Sequence, residues 1–139
     1  MQRSPFSLAF SLSVGITLLS VACGSGSRQL QSVTLSPATA DARSFPNGEV
    51  PFAATGTFSK PPSPQPLTNQ DVMWCVGSSA GMCAGNTNPG ATIDQNGRAQ
   101  CVGSFVGTVN ILAGKAQPSM NPDMGSQLTV FGAAKLTCP

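Results

Sequence analysis

The sequence predicts an all-β protein, an antiparallel β-sandwich of about seven short strands. Apolar residues recur at every second position in several segments, which is the period of a half-buried strand. The 139 residues include 15 Gly and 12 Pro, which favour turns over long helices. No ten consecutive residues combine a helical period with capping residues. A hydrophobic fraction of 40% excludes a disordered chain, and the length allows one domain.

The first 22 residues predict a secretory signal peptide, which is removed from the mature protein. Arg3 supplies a basic start, and residues 6–22 form an apolar run without charges. A run of about 17 residues is at the short limit for crossing a bilayer, and this one contains Ser and Gly. We therefore favour a cleaved signal over a permanent membrane span.

The end of the apolar run, Leu19 to Cys23, resembles the lipobox of bacterial lipoproteins. In that motif small residues precede a cysteine that is lipidated and becomes the new N-terminus. Leu usually stands three places before the cysteine, whereas here Ser20 does and Leu19 lies one place earlier. The resemblance implies lipidation of Cys23, with residues 23–30 as the lipidated cysteine and a flexible Gly/Ser tether. The alternative is an ordinary signal peptide followed by an incidental cysteine.

Four cysteines remain in the mature chain: Cys75, Cys83, Cys101 and Cys138. Export leads to an oxidising compartment, so an even number of cysteines predicts structural disulfides. Three pairings are possible, and we favour Cys75 with Cys83, which flank a loop of small residues, and Cys101 with Cys138. Zinc sites need cysteines two to four residues apart, and redox pairs need Cys-x-x-Cys. Neither spacing occurs among these four cysteines.

The first predicted strands follow from alternation and from proline. Residues 31–37 form a strand with Val33 and Leu35 on one face. Residues 50–59 form a longer core strand in which alternate residues point inward. The stretch 60–66 contains four prolines in seven residues, so it cannot be a central strand and is predicted to be a loop or crossover.

The second half of the chain predicts the remaining strands. Residues 71–76 form a strand that points Trp74, the single tryptophan, inward. Residues 91–102 predict a hairpin around the turn at Asn96-Gly97. The last predicted strands are residues 107–113, 127–131 and 135–138.

Five segments resemble, in order, the strands of bacterial immunoglobulin-like domains of group 2: Ser32-Val-Thr-Leu-Ser-Pro37, Phe52-Ala-Ala-Thr-Gly-Thr-Phe58, Val72-Met-Trp74, Ala91-Thr-Ile-Asp-Gln-Asn-Gly97 and Gly107-Thr-Val-Asn-Ile111. The resemblance covers about residues 31–114. It implies an Ig-like β-sandwich, which we expect to span residues 31–139, and a place among bacterial surface and exported proteins such as adhesins of the intimin and invasin type. It carries no catalytic motif. The chain differs from the family in having a single copy, four additional cysteines and the proline-rich insertion at residues 61–66.

The composition excludes several chemistries. Without histidine there is no imidazole base and no histidine-ligated metal. A net charge of +2 from scattered residues does not fit nucleic-acid binding. The five carboxylates lie apart in the sequence, at Asp41, Glu49, Asp71, Asp94 and Asp123. We therefore predict that the protein is not an enzyme and has no metal or cofactor.

These patterns predict a lipid-anchored protein of the bacterial cell envelope with a binding, adhesion or scaffolding role. The expected partners are the membrane, through the anchor, and an envelope or extracellular protein or glycan. Candidate binding loops are residues 60–70, 77–90 and 115–126. Gly24 stands where an Asp retains some lipoproteins in the inner membrane, so the sequence resembles the outer-membrane pattern. The domain can then face either the periplasm or the outside of the cell. The alternative is a small envelope enzyme or thiol-redox protein that uses two of the four cysteines.

Overall fold

A computed structural model of the chain describes residues 26–84, 90–117 and 125–139. Within them lie ten strands and two 3-10 helices: β1 (Leu30–Ser36), β2 (Thr39–Asp41), η1 (Ala42–Ser44), η2 (Pro46–Gly48), β3 (Glu49–Pro51), β4 (Ala53–Phe58), β5 (Gln65–Pro66), β6 (Met73–Gly77), β7 (Ala91–Ile93), β8 (Arg98–Cys101), β9 (Gly107–Ala116) and β10 (Leu128–Cys138). The predicted all-β class is confirmed. The predicted signal peptide and Cys23 lie outside the described residues, and none of the described segments forms a helix able to span a membrane.

The strands form three sheets, ordered β1-β4-β5, β2-β10-β9-β6 and β3-β8-β7. Neighbouring strands are antiparallel except β2, which runs parallel to the last part of β10. The predicted hairpin around Asn96-Gly97 is present as β7 and β8, with Ile93 opposite Ala99. Gly97 has a φ of 80°, the left-handed conformation that this tight turn requires.

The predicted strand over residues 50–59 is divided in the structure at Phe52. The part before it, β3, pairs with β8, whereas the part after it, β4, lies between β1 and β5. Phe52 donates its N–H to Gly97 O at 2.8 Å, in the turn of the hairpin, so the chain changes partners there. Burial still alternates through the break, because Val50, Phe52 and Ala54 are all buried.

The C-terminal strand is longer than the two predicted closing strands. β10 is one strand from Leu128 to Cys138, with a shift in its register against β9 between Leu128 and Phe131, although Gly132 interrupts the apolar pattern of the sequence. A Cβ atom on Gly132 would lie 2.5 Å from Val33 O, because the backbone of β1 passes close to β10 at this point. The glycine thus marks a close backbone approach inside a strand and not its end.

The core is apolar throughout the described residues, and it contains no buried polar or charged side chain. Three of its largest fully buried side chains, Val50, Ile111 and Leu136, come from β3, β9 and β10. Trp74 of β6 is half-buried and packs against this cluster, on the inward side that the sequence predicted. Burying such side chains contributes roughly 1.5–3 kcal/mol each, so the core is the main source of stability.

The strand directions define two ends of the domain. β1 and β10 run in the same sense, because Val33 lies beside Gly132 and Lys135 N bonds to Ala38 O just after β1. Leu30 at the start of β1 and Cys138 at the end of β10 therefore lie at opposite ends. We call them the N-terminal end and the far end.

Candidate binding groove

A short loop folds over the outer face of the four-stranded sheet, the face turned away from the core. Cys75 of β6 is bonded to Cys83, with Cα atoms 5.6 Å apart, which closes the loop. Ser78 N donates to Met82 O at 2.8 Å and Ala84 N to Val76 O at 2.7 Å, so the loop returns along β6. The disulfide and the backbone hydrogen bonds together fix the position of Met82.

The same loop is tied to the strand across the sheet. Leu128 N donates to Gly81 O at 2.8 Å, and Cys83 N donates to Ser126 O at 2.9 Å. Gly81 has a φ of 80°, and a Cβ atom there would lie 2.5 Å from Cε1 of Phe131. Only glycine allows the loop backbone to approach the Phe131 ring so closely.

The second disulfide lies at the far end. Cys101 of β8 is bonded to Cys138 of β10, with Cα atoms 5.8 Å apart and a separation of 37 positions in sequence. Cys138 is buried within the core, and its Sγ lies 3.8 Å from Gly90 O. This bond joins two different sheets, whereas the first closes a loop within one.

An aromatic residue extends from this end beside the loop. The Phe105 ring packs on the backbone of Gly90, where a Cβ atom would lie 2.6 Å from Cδ1 of the ring. Val102 N donates to Gly90 O at 3.0 Å and Phe105 N to Val102 O at 3.2 Å, which shapes the turn that presents the ring. Phe105 is 38% exposed and Val106 is 74% exposed.

An open groove of about 590 Å³ lies between the loop and the Phe105 turn. Its lining residues are Val76, Gly77, Ser78, Met82, Cys83, Ala84, Phe105, Thr108, Val109 and Asn110. Met82 is 49% exposed at its rim, and Asn110 Nδ2 lies 3.5 Å from Gly77 O. None of these lining residues carries a charged side chain, so the groove suits an apolar group and not acid–base chemistry.

The candidate loops of the sequence contribute unequally to this groove. Residues 77–84 of the second loop line it, whereas residues 60–70 lie toward the N-terminal end. Most of the third loop, residues 118–124, falls outside the described residues, as do residues 85–89. Sequence reasoning missed Phe105 and Val106. Their signal was two adjacent apolar residues between Gly103 and Gly107, outside any predicted strand.

Among the described carboxylates, Asp41, Asp71 and Asp94 accept hydrogen bonds in turns and Glu49 pairs with Arg98, while Asp123 lies outside the described residues. Asp71 Oδ2 accepts hydrogen bonds from Thr68 N and Thr68 Oγ1, both at 2.8 Å, and the backbone bond is the main cause that lowers the pKa of Asp71. Asp94 Oδ1 accepts from Asn96 N and Arg98 N at 2.8 Å, and the Arg98 bond chiefly lowers the pKa of Asp94. Across residues 26–84, 90–117 and 125–139, no group of three or more Cys, Asp or Glu residues is arranged to hold a metal ion.

Comparison with known proteins adds no relative. The sequence matches no family model. It also has no significant match among curated proteins. The geometry of the groove and the pattern of the sequence are therefore the basis for a functional proposal.

Proposed function

We propose that this chain is an exported, lipid-anchored protein of the bacterial cell envelope that binds a partner without catalysing a reaction. The main observation behind this proposal is the groove, which has no charged residue in its lining and lies beside the exposed side chains of Met82, Phe105 and Val106. Apolar side chains grouped at the surface and held by a rigid scaffold are typical of interaction sites. The loop that supplies Met82 is fixed by a disulfide, so little conformational entropy is lost when a partner binds.

Two features support export and anchoring. Both disulfides require a compartment in which thiols are oxidised, such as the periplasm or the cell surface. The sequence before the domain supplies a signal peptide and a lipobox-like end at Cys23. An acylated Cys23 would be the first residue of the mature protein and would keep the groove at the envelope.

The order of the strands supports an Ig-like sandwich as the scaffold. One sheet of the Ig fold places its third, sixth and seventh strands side by side, with a tryptophan on the third. Here β6, which carries Trp74, lies beside β9, and β9 lies beside β10. If β3 and β4 are taken as one strand interrupted at Phe52, the other strands follow the order β1, β3/β4, β8, β7, which matches the second Ig sheet.

The lining of the groove favours a protein partner over a glycan. Aliphatic, aromatic and thioether groups make up most of the lining surface, and only Ser78, Thr108 and Asn110 supply hydrogen-bonding side chains for a sugar. Met82 can adjust to differently shaped apolar groups because its side chain is flexible. We therefore expect the groove to take an apolar side chain presented by another envelope or extracellular protein.

Site-specific cross-linking in cells tests the binding role. A photoreactive amino acid at Val106 should give one discrete cross-linked product, because this side chain is 74% exposed beside the groove. The matched control is Thr57, an exposed residue of β4 in another sheet, which should give none. No product from position 106, or the same product from both positions, would refute binding at the groove.

Thiol counting distinguishes this proposal from a thiol-redox protein. The denatured, unreduced mature protein should contain no free thiol, because all four cysteines of the domain are in disulfides. Two reactive thiols would support the redox alternative instead. Mass spectrometry of the N-terminal peptide tests the anchor separately, and we expect it to begin at an acylated Cys23.

A further inference from the structure

Residues 26–29, which belong to the segment that the sequence predicts as a flexible tether, are hydrogen-bonded to the N-terminal end of the domain. Lys60 Nζ donates a hydrogen bond to Gly26 O. Arg28 Nε donates to Lys60 O at 3.1 Å, and Arg28 Nη2 donates to Pro62 O and to Gln65 Oε1, the latter at 2.8 Å. From Gly26 onward, therefore, the chain is part of the folded domain and not of a free linker.

Arg28 is held further by the end of β4. Its guanidinium lies over the Phe58 ring, 3.4 Å from the centroid. Next to it, Gln29 and Ser59 exchange two hydrogen bonds, from Gln29 N to Ser59 Oγ at 3.0 Å and from Ser59 N to Gln29 O at 2.9 Å. The proline-rich turn is thus closed by contacts to residues 26–29, and Arg28 and Lys60 lie side by side at its surface.

We infer that this N-terminal end rests on the membrane surface and that Arg28 and Lys60 contact the anionic headgroups of the bilayer that holds the anchor. The inference rests on the proposed lipidation of Cys23. Gly26 comes three positions after Cys23, and a fully extended chain of that length reaches roughly 10 Å. That reach is about one Debye length at physiological salt, so the two cations stay within the electrostatic field of the headgroups.

The charges near this end permit that contact. Arg28 and Lys60 are both exposed, and a phospholipid phosphate accepts hydrogen bonds from guanidinium and ammonium groups. Asp71 is close enough for the charge of Arg28 to contribute to its lowered pKa, so one carboxylate partly offsets the two cations. The exposed Phe105 and Val106 lie toward the opposite end, so this orientation presents the groove to the space away from the membrane.

Lysine labelling on vesicles tests the orientation with the intact lipidated protein. Lys60 is at the N-terminal end, and Lys135, exposed near the far end of β10, is the internal control. The protein is reconstituted in vesicles containing anionic phosphatidylglycerol, treated with a membrane-impermeant amine reagent, and digested for mass spectrometry. The control is a lengthened chain with twenty Gly/Ser residues inserted after Gly24. It keeps the anchor and the domain but no longer holds the N-terminal end close to the membrane.

We expect the ratio of Lys60 labelling to Lys135 labelling to be at least about five-fold lower in the native chain than in the lengthened chain. This factor corresponds to the binding of roughly one cation at an anionic surface. Pure phosphatidylcholine vesicles should weaken this protection. Equal Lys60 labelling in both chains would overturn the orientation while leaving the anchor intact. Equal protection on both kinds of vesicle would overturn the headgroup contact. A mature chain without an acyl group on Cys23 would instead overturn the anchor, and the orientation with it.

Discussion

The two faces of the four-stranded sheet differ: the inner face is apolar, whereas the outer face is apolar around Leu112 and Phe131 and carries the exposed Lys135 and Thr137 elsewhere. Ile111 and Leu112 are neighbours on β9, point to opposite faces and are both fully buried. The inner face is covered by strands of the other two sheets, and Cys138 links it to β8. On the outer face, the loop between Cys75 and Cys83 lies against Leu112 and Phe131.

This difference shows how a small domain can cover an apolar patch on its outer face without a third layer of secondary structure. Strands buried on both faces usually lie in sheets that helices or other sheets cover on each side. Here a loop closed by a disulfide, with Gly81 against Phe131, takes that role on the outer face. The inner face should therefore determine global stability, and the outer face should determine the shape of the groove.

Removal of the far-end disulfide should have the largest effect. Replacing Cys101 and Cys138 together by Ser should lower the free energy of unfolding by about 3.9 kcal/mol, the loop-closure value for its separation of 37 residues. Urea unfolding followed by circular dichroism measures the change. A loss below about 1 kcal/mol would show that the core holds the sheets together without this bond.

Two neighbouring truncations compare the faces directly. Ile111→Ala should cost about 3 kcal/mol because it leaves a cavity in the rigid core between sheets. Leu112→Ala should cost about 2 kcal/mol because the space it leaves lies under a single loop at the surface and not between two sheets. The same urea titration applies to both variants. A larger loss for Leu112→Ala would reverse the order of the two faces.

Removal of the local disulfide should affect stability less than the far-end bond but change the groove more. Replacing Cys75 and Cys83 by Ser should cost about 2.6 kcal/mol, as expected for a separation of 8 residues. It should also abolish cross-linking from a photoreactive residue at position 106, since Met82 loses its fixed place. The Cys101/Cys138 variant, studied at low temperature where it remains folded, is the control that should retain the product. Unchanged cross-linking in the variant without the local disulfide would show that partner binding does not depend on the position of this loop.

Changes in pH should have the smallest effect, because neither face contains a titrating group that is buried. The folded state lowers the pKa of Asp71 from its ordinary value of 3.8, through hydrogen bonds from Thr68. The stabilisation is therefore fully present above pH 3.8 and is lost as the pH falls below it through the folded pKa. When the pH is lowered from about 6 to below 3.8, the melting temperature of Asp71→Asn should fall less than that of the native chain. Gln70→Ala, in the same turn, should keep the native pH dependence.

The sequence predicted those elements whose pattern is local. Alternation gave β1 and β9, and the Asn96-Gly97 turn gave the hairpin of β7 and β8. The change of partner at Phe52 has no local signal, because burial continues to alternate through it. It depends on which strands lie on either side, and that is decided by tertiary packing.

The groove was harder to predict than the fold. An alternating strand leaves every second residue exposed, so Leu112 reads as an outward residue until the loop that covers it is known. Phe105 and Val106 are apolar but belong to no strand, and their exposure depends on the far-end turn at Gly90. A single sequence contains no signal that distinguishes such residues from a buried turn.

The pairing of β1 with β4 determines how the domain responds to mechanical load. A membrane anchor and a partner at the groove would pull the domain from opposite ends, along the length of β1. The hydrogen bonds that join Leu30–Ser36 to Ala53–Phe58 lie across that direction, so they are loaded in shear and must break together. At the far end, the bond between Cys101 and Cys138 transfers force from β10 to β8. We therefore expect the domain to resist extension from its two ends, because strand hydrogen bonds and a disulfide bear the load and not the exposed polar contacts.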